Sequence, residues 1–205
     1  MTNVLTNPDR FFAELSAKDT KLMTPFAIVL VSAIVAAISA AMMMDVMASS
    51  LPKDAAAFAG IDVAIGAIRE LVMPFIWWLL CAGVVYAVST FFDGDGSFKR
   101  TFEFVGYSFI PSIIGSVIGL AGFMVVFPNE LLSESFQQMY PLILALAIIY
   151  LLLMLWSVSI WIFAVKHARN LSTKHAVITV LAMFFLIWGI ALIPHITHTG
   201  YIGGI

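Results

Sequence analysis

The stretch Met139–Val165 reads MYPLILALAIIYLLLMLWSVSIWIFAV and contains no Asp, Glu, Lys, Arg or His. A helix rises about 1.5 Å per residue, so about 20 apolar residues are enough to cross the hydrocarbon core of a bilayer. This stretch exceeds that length. Its apolar run is continuous rather than alternating, which disfavours a strand of a membrane barrel. The stretch therefore predicts a transmembrane helix.

Four other stretches meet the same criterion without a charged residue or a histidine: Met23–Met44, Leu71–Phe92, Phe104–Phe127 and Ala176–Ile193. Burying an unpaired charge at the centre of a bilayer is costly, and every charge in this chain lies outside these five stretches. Composition agrees, because 62% of the 205 residues are hydrophobic and only 11% are charged. We predict an all-α integral membrane protein with five transmembrane helices.

The basic residues are divided unequally between the two sides of this topology. The N-terminal segment, the second loop and the fourth loop carry eight Lys or Arg residues, whereas the other side carries only Lys53 and Arg69. Because Lys and Arg are retained in the cytoplasm, we predict that the N-terminus is cytoplasmic and the C-terminus external. The predicted domains are a cytoplasmic segment over 1–22, a membrane domain over 23–193 and an external tail over 194–205.

The segment before the first span has the features of a short amphipathic helix. Asn7 suits the N-cap, Pro8 suits the first helical position, and Asp9 complements the positive end of the helix dipole. Phe11 and Phe12 fall on one side of this helix. We predict an interfacial helix whose two Phe rings contact lipid headgroups or a partner protein, and the alternative is a plain anchor for the first span.

A second amphipathic helix is predicted over Ala55–Glu70 in the first external loop, lying on the membrane surface or over the bundle. The segment is rich in Ala and Gly and carries Phe58, Ile61, Ile65 and Ile68. We assign no function to it.

The third predicted span is rich in small residues. Gly115 and Gly119 form a GxxxG pair, which lets two helix backbones approach closely in lipid, and Pro111 is expected to kink the helix. We predict that Gly106, Tyr107, Pro111, Gly115 and Gly119 shape helix packing at the bundle centre. An alternative hypothesis makes Pro111 a hinge beside a permeation path.

Signals of catalysis or metal binding are weak. An intramembrane hydrolase needs an activated nucleophile or a bound metal, and the predicted spans contain neither a His nor a carboxylate. His195 and His198 have a metal-like spacing, but two His residues do not complete a site. We predict no enzyme activity, metal or cofactor. The net charge of −2 and the lack of a basic block also exclude a nucleic-acid partner.

The segment NPDRFF (7–12), the loop GSFK (96–99) and the pair Gly106–Tyr107 followed by Pro111 occur in this order along the chain. The chain resembles the Yip1 domain proteins over nearly its whole length. Eukaryotic members of that family carry a DLYGP-type motif, act in vesicle traffic and associate with prenylated Rab-type GTPases. This sequence lacks the motif, so it looks more like the prokaryotic branch, which implies the plasma membrane of a prokaryote.

These observations predict a non-enzymatic scaffold or adaptor that acts in membrane organisation or a trafficking-like process. The expected partners are the lipid bilayer, a membrane or cytoplasmic protein, and another copy of the chain. The predicted working surface consists of Phe11, Phe12, Asp93, Lys99 and Arg100, which the topology places on one side. The alternative is a small transporter or channel subunit with the third span lining the pathway, which a polar cavity at membrane depth would favour.

Overall fold

The computed structural model describes residues 3–49, 53–126 and 136–202, in which helices predominate and no strand occurs. The all-α prediction is confirmed for this part of the chain. The helices are α1 (Pro8–Ser16), α2 (Met23–Ser49), α3 (Lys53–Thr90), α4 (Phe98–Tyr107), α5 (Ile110–Val126), α6 (Phe136–Ala168) and α7 (Thr173–Ile202).

Four helical segments are long and apolar enough to cross a membrane: Met23–Val46, Gly60–Thr90, Phe98–Met124 and Tyr140–Ala168. They correspond to the first four predicted spans. In α7, the apolar segment Thr173–Ile187, over which the side chains are described, is shorter than these four. The fifth crossing therefore stays a prediction.

The helix α1 forms where the sequence predicts it. The side chain of Asn7 accepts a hydrogen bond from the backbone N–H of Arg10, and Pro8 occupies the first turn. The helix packs against α6, and its Phe12 side chain is fully buried in a cluster with Phe104 and Ile160. The apolar side of α1 is thus turned towards protein at Phe12.

The second predicted span and the helix predicted over Ala55–Glu70 are one continuous helix in the structure. The helix α3 runs for 38 residues and includes Pro74. Arg69 and Glu70 form an ion pair with an N–O distance of 2.8 Å at the predicted boundary. The separate surface helix was predicted from the weakly amphipathic sequence of Ala55–Glu70, but no helix-breaking residue stands at its end, and the backbone continues as one helix.

The third predicted span is interrupted. The helix α4 ends at Tyr107 and α5 begins at Ile110, so the kink expected at Pro111 takes the form of a break. Proline has no backbone N–H, so the Tyr107 carbonyl cannot receive the usual helical hydrogen bond from position 111. At the break itself, the N–H of Ser108 donates to the carbonyl of Val105, three residues earlier, at 3.1 Å, so the chain makes a tighter turn there than in an α-helix.

Buried side chains concentrate at one end of the helix bundle. Among the residues whose burial the structure describes, the buried side chains of α3 lie in its C-terminal half, those of α6 begin at Ile160, and those of α7 begin near its N-terminus at Ala176. Earlier in α6, before Ile160, large side chains such as Leu151 and Leu152 are more than half exposed. The bundle is thus closely packed where α1, the α3–α4 loop and the α6–α7 turn meet, and α6 presents apolar side chains outward beyond that end.

Candidate functional site

A buried arginine joins the two loops at the packed end. Arg169 is only 2% exposed. Its Nε donates a hydrogen bond to Ser89 Oγ at 2.8 Å, and its two terminal nitrogens donate to the carbonyls of Gly94, at 2.5 Å, and Gly96. The guanidinium also lies 4.3 Å from the centre of the Tyr86 ring. Arg169, at the C-terminal end of α6, therefore holds the α3–α4 loop in place.

The α3–α4 loop has a backbone shape that suits this clamp. Asp93 and Gly96 adopt positive φ angles of 55° and 133°. A side chain at Gly96 would also overlap the carbonyl oxygen of Ala168, so glycine is required on both grounds. The N–H of Asp95 completes the connection by donating to the Arg169 carbonyl at 2.9 Å.

A second buried charge ties down the linker between α1 and α2. The carboxylate of Glu103 is fully buried; it accepts a hydrogen bond from the backbone N–H of Lys21 at 2.9 Å and one from Arg100 Nη1 at 3.2 Å. Arg100 Nη2 donates to the Lys18 carbonyl at 2.5 Å. A buried carboxylate is tolerated only when it is paired and hydrogen-bonded, and this arrangement meets both conditions.

An ion-pair cluster holds α1 against the end of α6. Oδ1 of Asp9 lies 2.7 Å from Lys166 Nζ and 2.6 Å from His167 Nε2. The hydrogen bond from Lys166, and next the one from His167, hold the pKa of Asp9 below its ordinary value of 3.8. The cluster therefore links the N-terminal segment to the predicted fourth loop, two of the three basic segments that the predicted topology places on one side.

We expect the docking of α1 to weaken in acid. Because the pKa of Asp9 is lowered in the folded state, its contribution is complete above pH 3.8 and is lost as the pH falls below that value. Asp9 is about half exposed, so the change is under about 1 kcal/mol. A fluorophore on Ala13→Cys in a Cys81→Ala background would report the loss. In Asp9→Asn its signal should not change between pH 5 and 3, and an identical acid transition in both proteins would contradict this assignment.

The structure brings the five residues of the predicted working surface to this same end but does not expose them equally. Asp93 and Lys99 are exposed. Phe12 is buried, Phe11 is half-buried with its ring 5.2 Å from that of Tyr107, and Arg100 is engaged as described above. Phe12 and Arg100 therefore make internal contacts in this conformation. A partner-binding role for Asp93 and Lys99 stays a prediction.

The residues predicted for packing lie on either side of the break between α4 and α5. Gly106 allows Pro25 of α2 and Trp78 of α3 to approach closely, while Tyr107 is buried in the cluster around Phe12. Trp78 Nε1 donates to the Phe102 carbonyl at 2.8 Å, which attaches α4 to α3.

A cavity of about 410 Å³ lies beside the break. Its lining includes Ser108, Pro111 and Gly115, together with Tyr150, whose hydroxyl donates to the Gly115 carbonyl at 2.8 Å. A side chain at Gly119 would overlap that hydroxyl. The GxxxG pair therefore receives a tyrosine of α6 within the same chain.

A model of the Yip1 domain matches residues 2–193. The chain belongs to the Yip1 domain family. This membership confirms the resemblance seen in the sequence. The uncharacterized protein MJ0794 of Methanocaldococcus jannaschii is 37% identical over 118 residues, which cover 58% of this chain and 84% of that protein. No solved structure matches the chain.

The structure adds two residues of this Yip1 chain that the sequence analysis did not single out, Arg169 and Glu103. For Glu103 a weak signal exists, since Arg100 precedes it by one helical turn. Arg169 has no such signal, because two of its partners are backbone carbonyls far away in sequence.

The two histidines of this Yip1 chain with metal-like spacing, His195 and His198, lie in a part of α7 whose side chains fall outside the description. Elsewhere, no group of three or more His, Cys, Asp or Glu residues is placed to hold a metal ion within the described ranges.

Proposed function

We propose that this Yip1 family member is a non-enzymatic membrane scaffold or adaptor whose cytoplasmic end presents a fixed surface to a partner protein. The observation that carries the proposal is the buried Arg169 clamp, which holds the α3–α4 loop against the end of α6. Asp93 is exposed on this loop, and Lys99 is exposed in the first turn of α4, which follows the loop. A loop that is already ordered loses little conformational entropy on binding, which favours a recognition role.

The proposal includes five crossings, an interfacial α1 and the plasma membrane of a prokaryote, with the N-terminus inside. The 30 residues of α7 span roughly 45 Å, which is long enough for the fifth crossing. The contacts of Asp9 with Lys166 and of Arg100 with Lys18 support counting their basic segments together at one end. An excess of basic residues there favours a cytoplasmic location.

A second candidate is a small transporter or channel subunit, and the cavity beside α5 is the observation that favours it. We prefer the scaffold because the described lining of the cavity contains no Asp, Glu, Lys, Arg or His. Carriers driven by ion gradients usually hold ionisable residues at membrane depth.

Lys99→Cys in a Cys81→Ala background tests both the orientation and the scaffold. We expect an impermeant thiol reagent to label Lys99→Cys only after the cells are permeabilised. A permeant thiol-to-amine crosslinker should then join this cysteine to a specific protein. Adding Asp93→Lys should reduce that product, since it removes the net negative charge of the exposed loop, which otherwise comes from Asp93 and Asp95, and it replaces no residue that bonds to Arg169.

Labelling of intact cells would overturn the proposed orientation. Crosslinked products that are unchanged by Asp93→Lys would overturn the scaffold surface. A Phe11→Ala/Phe12→Ala variant is unsuitable for this purpose, because Phe12 is fully buried and its truncation would disturb the core.

A further inference from the structure

The break between α4 and α5 leaves one buried hydroxyl without a partner. Ser108 is 1% exposed, and its Oγ makes no hydrogen bond to any described residue. A serine hydroxyl can donate one hydrogen bond and accept two. Leaving such a group buried and unpaired is unfavourable, so an unsatisfied hydroxyl of this kind indicates a site for another molecule.

Ser108 lines the cavity of about 410 Å³, which is within the size range of small-molecule sites. Other hydroxyl groups in the lining belong to Ser112, Ser116, Ser157 and Tyr150, and that of Tyr150 already donates to the Gly115 carbonyl. Aromatic side chains that include Trp161 form much of the remaining wall. The cavity thus combines a hydroxyl-bearing side with an apolar side, and its described lining carries no charge.

The position of the cavity indicates where its occupant comes from. It lies between the candidate spans Phe98–Met124 and Tyr140–Ala168. Two of its lining residues, Ser112 and Met154, are exposed on the outer surface of the helices, and Met154 is 55% exposed. An outer surface of this kind faces lipid in a spanning helix. Non-helical backbone at membrane depth is tolerated where it is buried in protein or lines a cavity. The non-helical backbone at Ser108 lines this cavity.

We propose that this cavity binds an uncharged, single-chain lipid that carries a hydroxyl or carbonyl oxygen. The lipid oxygen forms a hydrogen bond with the Ser108 hydroxyl. The hydrocarbon chain of the lipid lies along the aromatic wall of the cavity and extends out of it beside Met154. A charged headgroup is excluded because no charged side chain in the described lining would compensate its desolvation. This site does not depend on the scaffold role proposed above.

The test uses the full chain in phosphatidylcholine nanodiscs and a hexadecanol that carries a diazirine and an alkyne tag. We expect the probe to label the cavity wall around Tyr150 and Met154, and excess unlabelled hexadecanol to compete. Loss of one hydrogen bond in Ser108→Ala should reduce labelling by about 2- to 10-fold. Ser112→Leu should reduce it further, because the larger side chain stands at the exposed opening.

Ser39→Ala is the matched control, since its hydroxyl bonds to the Val35 carbonyl within α2 at 2.8 Å and does not line the cavity. Its labelling should equal that of the original chain. Labelling that does not respond to competitor would mean that the probe reacts from the surrounding lipid without occupying the cavity, and the proposal would fail. Equal labelling of Ser112→Leu, or by the matching hexadecanoate probe, would also overturn it. Ser112→Leu decides the question if Ser108→Ala does not fold.

Discussion

Replacing Arg169 by methionine should lower the free energy of unfolding by roughly 3–5 kcal/mol, because several buried or half-buried hydrogen bonds are lost together. Methionine keeps an apolar stem of similar length but removes every hydrogen-bond donor. The carbonyls of Gly94 and Gly96 would then lose this partner in a half-buried setting, and Ser89 Oγ would keep only its hydrogen bond to the Tyr86 carbonyl. Each such loss costs about 1–3 kcal/mol, and the stacking on Tyr86 is lost as well.

Arg169→Lys should recover only a small part of this loss. A lysine ammonium is a single point, whereas the planar guanidinium reaches Ser89, Gly94 and Gly96 together. The matched control is Arg10→Met, because Arg10 is 70% exposed and pairs with Glu14 on the surface of α1. An exposed ion pair of this kind contributes under about 1 kcal/mol.

Unfolding by heat or denaturant in nanodiscs, followed by tryptophan fluorescence, would compare these variants of Arg169 and Arg10. A midpoint for Arg169→Met equal to that for Arg10→Met would show that the clamp does not hold the loop. If the clamp does hold it, Arg169→Met should also weaken the crosslinking expected at Lys99→Cys, because the loop that leads into the first turn of α4, where Lys99 lies, would lose its fixed shape.

The membrane segments could be predicted because hydropathy is a local property. The length and apolar composition of a run such as Met139–Val165 predict that it crosses a membrane, whatever the rest of the chain contains. The Arg169 network could not be predicted, since its partners lie 73 to 80 residues away and two of them are backbone carbonyls. Every residue carries a carbonyl, so such a contact leaves no trace in the side-chain sequence.

The two phenylalanines Phe11 and Phe12 show a different limit of prediction from the sequence. Amphipathic spacing indicates which side of a helix is apolar, but lipid and protein interiors both accept that side. The sequence therefore predicts the helix and its cap at Asn7, whereas the burial of Phe12 against Phe104 follows only from the position of α4. Pro111 likewise predicts a disturbed helix, but the orphaned hydroxyl of Ser108 depends on its three-dimensional surroundings.

Gly106→Ala should destabilise the bundle, whereas Gly83→Ala should not. A Cβ at position 106 would overlap the Cβ of Pro25 and lie 3.0 Å from the ring of Trp78. Neither group can turn aside easily, because the proline ring is rigid and the indole of Trp78 is fixed by its hydrogen bond to Phe102. Overpacking of this kind typically costs about 1–3 kcal/mol.

At Gly83, by contrast, no described atom lies within 4 Å of the site that a Cβ would take. Alanine is the better helix former by about 1 kcal/mol, so Gly83→Ala should leave α3 unchanged or slightly more stable. The two variants make the same chemical change, and their unfolding midpoints in nanodiscs should move apart. Equal shifts would mean that α2, α3 and α4 do not meet closely at Gly106. A lower midpoint for Gly106→Ala alone would show that the contact of Gly106 with Pro25 and Trp78 holds α4 in place beside the cavity. The same variant should then also alter the labelling at Tyr150.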